Sequence, residues 1–165
     1  NPGVIEPLWN LLNEAKSPFL ILGGSGWDQE TCDIIQKFSE INHLPVGCSF
    51  RCQDYFDNRH PSYLGHIGIG LSDSLRNRII NSDLLLVIGA RLGEITTGGY
   101  SLLEIPRPKQ CLVHVHSGIE ELDRVYQPDL PINASPRAFA LALSDLGDLD
   151  GKHWRHNTAQ GHAEY

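Results

Sequence analysis

The chain contains no methionine, only four cysteines and 8% aromatic residues in its 165 positions. It also has no Lys/Arg cluster longer than a pair, and 13 basic against 20 acidic residues give a formal charge of −7. The electrostatic footprint of a nucleic-acid binder or of a protein that sits on anionic membranes is therefore missing. The longest aliphatic run, Leu84 to Ile88, falls far short of the roughly 20 residues that span a bilayer. No basic-then-apolar targeting signal opens the sequence. These absences predict a soluble, cytoplasmic chain whose partners are small molecules or proteins. The length corresponds to about one domain, which excludes a stand-alone multidomain enzyme, and 41% apolar residues suffice for a full core. With no methionine and an Asn1-Pro2-Gly3 start, the chain is expected to be processed or to be a segment of a longer polypeptide.

Cys32, Cys48, Cys52 and Cys111 fit neither a CxxC redox motif nor a paired zinc-ligand pattern. They read as buried free thiols of a reducing compartment, with Cys48 and Cys52 as the alternative, a reactive pair.

Apolar runs of strand length alternate with stretches of helical period, the signature of a parallel sheet with crossover helices. Helices are predicted over 3–15, from Asp28 to about 42, from Ser72 to about 81, over 120–126, and from Ser135-Pro136 through 146. Strands are predicted over 19–22, 44–48, 84–88, 111–116 and 130–133, with a sixth anticipated, and residues 49–71 read as a long functional or interface loop. The expected fold is α/β: a three-layer, doubly wound Rossmann-like sheet of about six parallel strands with helices on both faces. The domain covers residues 1–146, and 147–165 read as a linker with three solvent-facing histidines, His153, His156 and His162.

In such sheets ligands bind outside the carboxyl ends of the strands, which is where the glycines lie. Gly23, Gly24, Ser25 and Gly26 follow the first strand, where backbone N–H groups can approach a phosphate at a helix N-terminus; tight turning alone is the competing explanation. The G-x-G-x-x-G fingerprint is incomplete, because Gln29 stands where glycine or alanine belongs and no acidic residue ends the second strand. Gly65, His66, Gly68 and Gly70 imply a second close backbone approach. His114 and His116 share one strand face, and no histidine falls in a metal-ligand spacing, so no metal site is expected. Ser25 lacks a nucleophile elbow and Glu94 is a lone loop carboxylate, so no catalytic residue is assigned.

Five motifs in order resemble the central domain of thiamine-diphosphate-dependent enzymes of the acetolactate synthase, benzoylformate decarboxylase and oxalyl-CoA decarboxylase type. They are Ser17-Pro18-Phe19-Leu20-Ile21-Leu22-Gly23-Gly24 after a leading helix, Leu44-Pro45-Val46, His60-Pro61 with Leu64-Gly65 and Gly68, Ser82-Asp83 with the strand through Gly89-Ala90-Arg91-Leu92, and Leu112-Val113-His114-Val115. The resemblance covers nearly the whole chain.

It implies a parent enzyme acting on 2-keto acids, an acetolactate synthase-like lyase or transferase, whose thiamine diphosphate and magnesium are held by flanking pyrimidine- and pyrophosphate-binding domains, with residues 147–165 leading to the latter. The fragment alone is then inactive, and the parent is expected to be a homodimer or homotetramer. The resemblance also implies a nucleotide, FAD or ADP, at Gly23, Gly24, Gly65, Gly68, Gly89 and Arg91, with Ser25, Gly26 and His66 beside them. The FAD-branch runs R-F-D-D-R and H-I-D-I-D-P appear here as Arg91-Leu92-Gly93-Glu94-Ile95 and His114-Val115-His116-Ser117-Gly118-Ile119. The second arginine and both ribose-binding carboxylates are thus absent, and the expectation is no firmly bound cofactor, weak FAD or ADP at best, and a colourless protein. A structural module, an adenine-nucleotide binder and an independent NAD enzyme remain as alternatives. The loop 51–61, with two arginines and several aromatics, is expected to face a neighbouring domain or subunit.

Overall fold

A computed structural model describes residues 2–150 and 153–165. Its elements are α1 (Ile5–Glu14), β1 (Pro18–Leu22), α2 (Gln29–Asn42), β2 (Val46–Ser49), β3 (Tyr63–Ile67), α3 (Asp73–Ile80), β4 (Leu84–Ile88), β5 (Cys111–His116), β6 (Leu130–Asn133), α4 (Pro136–Ser144) and α5 (Arg155–Ala163). The helix starts follow their caps. The Asp28 carboxylate accepts from Thr31 N at 2.8 Å, Ser72 Oγ from Leu75 N at 3.3 Å, and Ser135 Oγ from Ala138 N at 3.2 Å with Pro136 at the first helical turn. Each side chain satisfies one of the N–H groups that a helix start leaves unpaired. α2 stops where His43 takes the left-handed conformation (φ 53°).

Among the described residues the strands form one six-stranded sheet in the order β3-β2-β1-β4-β5-β6, every neighbouring pair parallel. β1 and β4 are buried along their whole length, which is why their sequences are continuous apolar runs rather than alternating ones. Leu20, Leu22, Leu84, Leu86 and Ile88 pack with Leu8 and Leu12 of α1, Ile35 and Phe38 of α2 and Phe139 and Leu143 of α4. Phe19, Ile21, Leu85 and Val87 point to the other face, against Leu75 and Ile79 of α3 and against Leu92, Leu102, Leu103 and Tyr126. The strand order reverses direction between β1 and β4, so the gap between the loops that follow them is the fold's natural ligand position.

Four expectations change. The loop 49–71 contains the sixth strand, β3, in which Gly65 and His66 interrupt the apolar pattern. Residues 120–126 form no α-helix: a single 3-10 turn, Ile119–Glu121, is followed by extended Leu122 and by Asp123 at φ 66°, a left-handed backbone that ends any helical run. The aromatics of the 51–61 loop turn inward. Phe56 is buried and packs on His60 and Tyr63, while Tyr55 stacks on Trp27 with ring centroids 4.9 Å apart.

The fourth change is the tail. Beyond residue 152 it is a folded part of the sheet's edge, because Trp154 is 1% exposed and donates from Nε1 to Asn42 O at 2.7 Å. Thr158 Oγ1 donates to His43 O at 2.7 Å, so two unpaired carbonyls at the end of α2 receive donors from the tail. Gly161 lets α5 lie against Leu64, whose Cδ2 would be 2.5 Å from an added Cβ. Glu164 pairs with Arg78 at 2.9 Å. His162 is part-buried and donates from Nδ1 to Tyr63 O at 2.7 Å, whereas His153 and His156 are exposed as expected.

Candidate functional site at the carboxyl edge

The loops after β1 and β4 meet backbone to backbone. Gly23 N donates to Ile88 O at 3.1 Å and Gly89 N to Val115 O at 2.8 Å, extending both ladders by one residue. A Cβ on Gly24, which has φ +76°, would lie 1.9 Å from Gly89 O, and one on Gly89 (φ +75°) would lie 2.5 Å from Gly23 O. Gly23 has Ser49 Oγ and Ala90 Cβ in the space a side chain would take. These glycines therefore exist to let three loops touch at the switch point. The carbonyls of the turn are engaged too, by Trp27 Nε1 on Gly23 O at 2.8 Å and Tyr55 OH on Gly24 O at 2.7 Å. Burial pushes the Tyr55 hydroxyl up to about 12, so it remains a donor across the neutral range. Ser25 is exposed, and Gly26 turns beside Pro136.

Electrostatics at the start of α2 oppose an anion. Asp28 and Glu30 both bind the single guanidinium of Arg137, so the helix end that attracts negative charge already carries a capping carboxylate and one net negative charge. Hydrogen bonds from Thr31, with Arg137 adding to them, hold Asp28 below the usual carboxylate range.

A cleft of about 470 Å³ opens beside the turn, lined by Gly24, Ser49, Phe50, Cys52 and, from the loop after β4, Arg91, Gly93, Glu94, Ile95, Thr96 and Tyr100. That volume lies in the range of small-molecule and cofactor sites. The β4 loop is stapled internally: Thr97 Oγ1 donates to Gly93 O at 2.8 Å and accepts from Tyr100 N at 3.1 Å. A smaller chamber of about 70 Å³ shares Arg91, Gly93 and Tyr100 with the cleft and adds His114, Glu121, Arg124 and Tyr126. Here Arg91 Nε and Arg124 NH1 bind the same oxygen of Glu121, at 3.1 and 2.7 Å. Burial works against Glu121's ionisation, but the two arginines outweigh it and keep the carboxyl below its ordinary range. His114 donates from Nε2 to Ala90 O at 2.9 Å; burial lowers its pKa, which favours the neutral ring.

Of the residues expected at a nucleotide, the fold gathers Gly23, Gly24, Gly89 and Arg91 at the switch point, with Ser25 and Gly26 at its rim. Gly68 (φ +140°) stands between Phe50 and Ile95, at the cleft's margin. Gly65 does not join them: it lies within β3 opposite Gly47, where an added Cβ would meet Leu75 and Tyr165. His66 folds back to donate from Nε2 to Ile69 O at 3.0 Å. His116 Nδ1 is 3.0 Å from Gly118 N, and neither residue lines the cleft or the chamber. Sequence reasoning misses Glu121, Arg124 and Tyr126: the Glu-x-x-Arg spacing is visible, but it reads as a helical pair. All four cysteines are free thiols, and burial raises the pKa values of Cys32 and Cys48 and takes Cys111 up to about 11. Among the described residues no three His, Cys, Asp or Glu side chains converge as metal ligands. None of the described helices is long and apolar enough to cross a membrane.

Sheet order, switch-point cleft and glycine-lined turns define a Rossmann-type domain. Residues 5–143 match the model of the thiamine pyrophosphate enzyme central domain, and the chain belongs to that family. Its relatives are acetolactate synthase large subunits and related enzymes. The acetolactate synthase large subunit of Corynebacterium glutamicum is 26% identical over 81% of this chain and 21% of its own length. The isozyme 2 large subunit of Escherichia coli is 22% identical over 94% of this chain and 28% of its own. The 3D-(3,5/4)-trihydroxycyclohexane-1,2-dione hydrolase of Clostridium botulinum is 30% identical over 59% of this chain and 15% of its own. The chain thus spans less than a third of the length of these relatives.

Proposed function

We propose that this central domain serves as the structural module of a cytoplasmic, homo-oligomeric thiamine-diphosphate- and magnesium-dependent enzyme that acts on 2-keto acids in the manner of acetolactate synthase. The family match over residues 5–143 carries the reading. Thiamine diphosphate and magnesium are assigned in this reading to flanking pyrimidine- and pyrophosphate-binding domains of the parent. Among the residues that line the cleft the one carboxylate is the exposed Glu94. The central domain is taken to run to about residue 146, and the tail, although it packs back on α2 and β3, is read as leading toward the pyrophosphate-binding domain. The test is a pyruvate decarboxylation and carboligation assay with thiamine diphosphate and magnesium. The 165-residue chain is expected to be inactive and to show no calorimetric signal with the cofactor; micromolar, magnesium-dependent binding would overturn the assignment.

A second reading is supported by the cleft itself. Its volume and the Arg91 cation suit an adenine nucleotide, ADP or FAD, held weakly because His116 and Gly118 supply no carboxylate to ribose hydroxyls. Losing one charged hydrogen bond of that kind weakens binding by about one to two decades. An NAD enzyme is less well supported, since β2 ends at Cys48-Ser49 with no acidic side chain for the ribose. Absorbance of the purified chain separates the cases: the protein is expected to be colourless, and a stoichiometric flavin spectrum would contradict weak binding.

A further inference from the structure

We infer that the chamber between Arg91 and Arg124 is the phosphate-recognition subsite of this domain, taking the terminal phosphoryl group of a ligand whose body lies in the adjoining cleft. The inference rests on the nucleotide reading for the body of the ligand and on the chamber's own chemistry for the phosphate.

Three observations carry it. First, the charges are unequal. Two guanidinium groups share a single carboxylate oxygen of Glu121, which leaves one net positive charge and most of ten N–H donors beyond that contact. The same count at the glycine turn, Asp28 and Glu30 on Arg137, has the opposite sign. Glu94 offsets that charge in the adjoining cleft, so the attraction for an anion is local to the two guanidinium groups. Both guanidinium-bearing side chains are more than half exposed, so they can swing toward a ligand without unfolding anything.

Second, the chamber contains an unmet donor. Tyr126 is 2% exposed and its hydroxyl makes no hydrogen bond of good geometry. The nearby Thr97 hydroxyl donates to Gly93 O and accepts from Tyr100 N, which leaves it one lone pair as the protein's own alternative acceptor for Tyr126. A buried polar group without a partner is uncommon and destabilising, and a phosphate oxygen would supply the acceptor. Burial keeps the Tyr126 phenol protonated to higher pH than usual, so it can only donate to such an oxygen at neutral pH.

Third, size and position fit one group rather than a whole ligand. The chamber measures about 70 Å³, well below the roughly 300–1,000 Å³ of a pocket that holds a whole ligand. It lies beside the 470 Å³ cleft, with which it shares Arg91, Gly93 and Tyr100. Phe50, Ile95 and Tyr100 offer the cleft its apolar surface, suited to a planar base.

The test uses the full chain in calorimetric titrations with ADP, AMP, adenosine and inorganic phosphate, for the wild type, Arg124→Ala, Arg124→Lys and Tyr126→Phe, with near-UV circular dichroism to verify folding. ADP affinity is expected to fall about tenfold in Arg124→Ala, the worth of one charge-assisted hydrogen bond, to recover partly in Arg124→Lys, and to fall about threefold in Tyr126→Phe. Adenosine affinity should not change in any variant. Unaltered ADP and phosphate affinities in both Arg124→Ala and Tyr126→Phe would overturn the subsite while leaving nucleotide binding intact. Binding of inorganic phosphate that is lost in Arg124→Ala, with neither ADP nor adenosine bound, would uphold the subsite for free phosphate and sink the nucleotide reading. No binding of phosphate or of any nucleotide would overturn both.

Discussion

The two sides of the switch point, both made of loops at strand ends, differ in what their residues do. On the β1 side, glycine buys contact: Gly23 and Gly24 meet the loop after β4 at Gly89 and Ala90, within distances no side chain permits, and the nearby charges sum to negative. On the β4–β5 side, ordinary residues build a cationic chamber around Glu121. A glycine-rich turn after a first strand is thus a statement about backbone packing before it is one about phosphate. The sign of the surrounding charge decides whether an anion follows.

The largest effect expected from breaking this contrast is at Gly24. Gly24→Ala would place a Cβ 1.9 Å from Gly89 O at a positive φ, where neither backbone can yield cheaply. A loss of about 3 kcal/mol or more in urea unfolding is expected. Gly93→Ala is the control, with nothing within 4 Å of the added atom, and should stay within about 0.5 kcal/mol. Equal effects at the two positions would mean that the turn is not locked by its neighbour loop.

A smaller effect concerns pH at the chamber's floor. Burial depresses the folded-state pKa of His114, so below the unfolded value of about 6.5 the unfolded chain binds a proton that the folded chain refuses. Stability should therefore decline as pH falls from about 6.5 to the folded pKa, with a slope of at most about 1.4 kcal/mol per pH unit from this residue. His114→Asn should flatten that part of the profile. An unchanged profile would show that His114 does not titrate across this range. Glu121 acts in a lower window: its depressed pKa means that its stabilising pairs persist above the ordinary carboxylate value and are lost only as pH drops through the folded one.

Strands β1, β2, β4, β5 and β6 and the caps Asp28, Ser72 and Ser135 were legible because apolar runs and capping residues are local signals. β3 was not, since Gly65 and His66 break the pattern and its burial comes from α3 and Tyr165 packing over it. The tail was hidden for a related reason: α5 buries Thr158 and Gly161, neither of which marks an apolar face, and its anchor Trp154 precedes the helix. Arg91 was readable from its place after β4. Arg124 and Tyr126 were not, because only the 3-10 turn and the extended residues after it bring them to the chamber.

The most direct measurement is a map of backbone amide shifts in an isotope-labelled chain titrated with ADP. The account predicts the largest changes at residues 91–100 and 121–126, with residues 23–31 nearly still. Saturable changes centred on Gly24, Ser25, Gly26 and the first turn of α2, with the 121–126 segment unmoved, would contradict it and return the phosphate to the glycine turn.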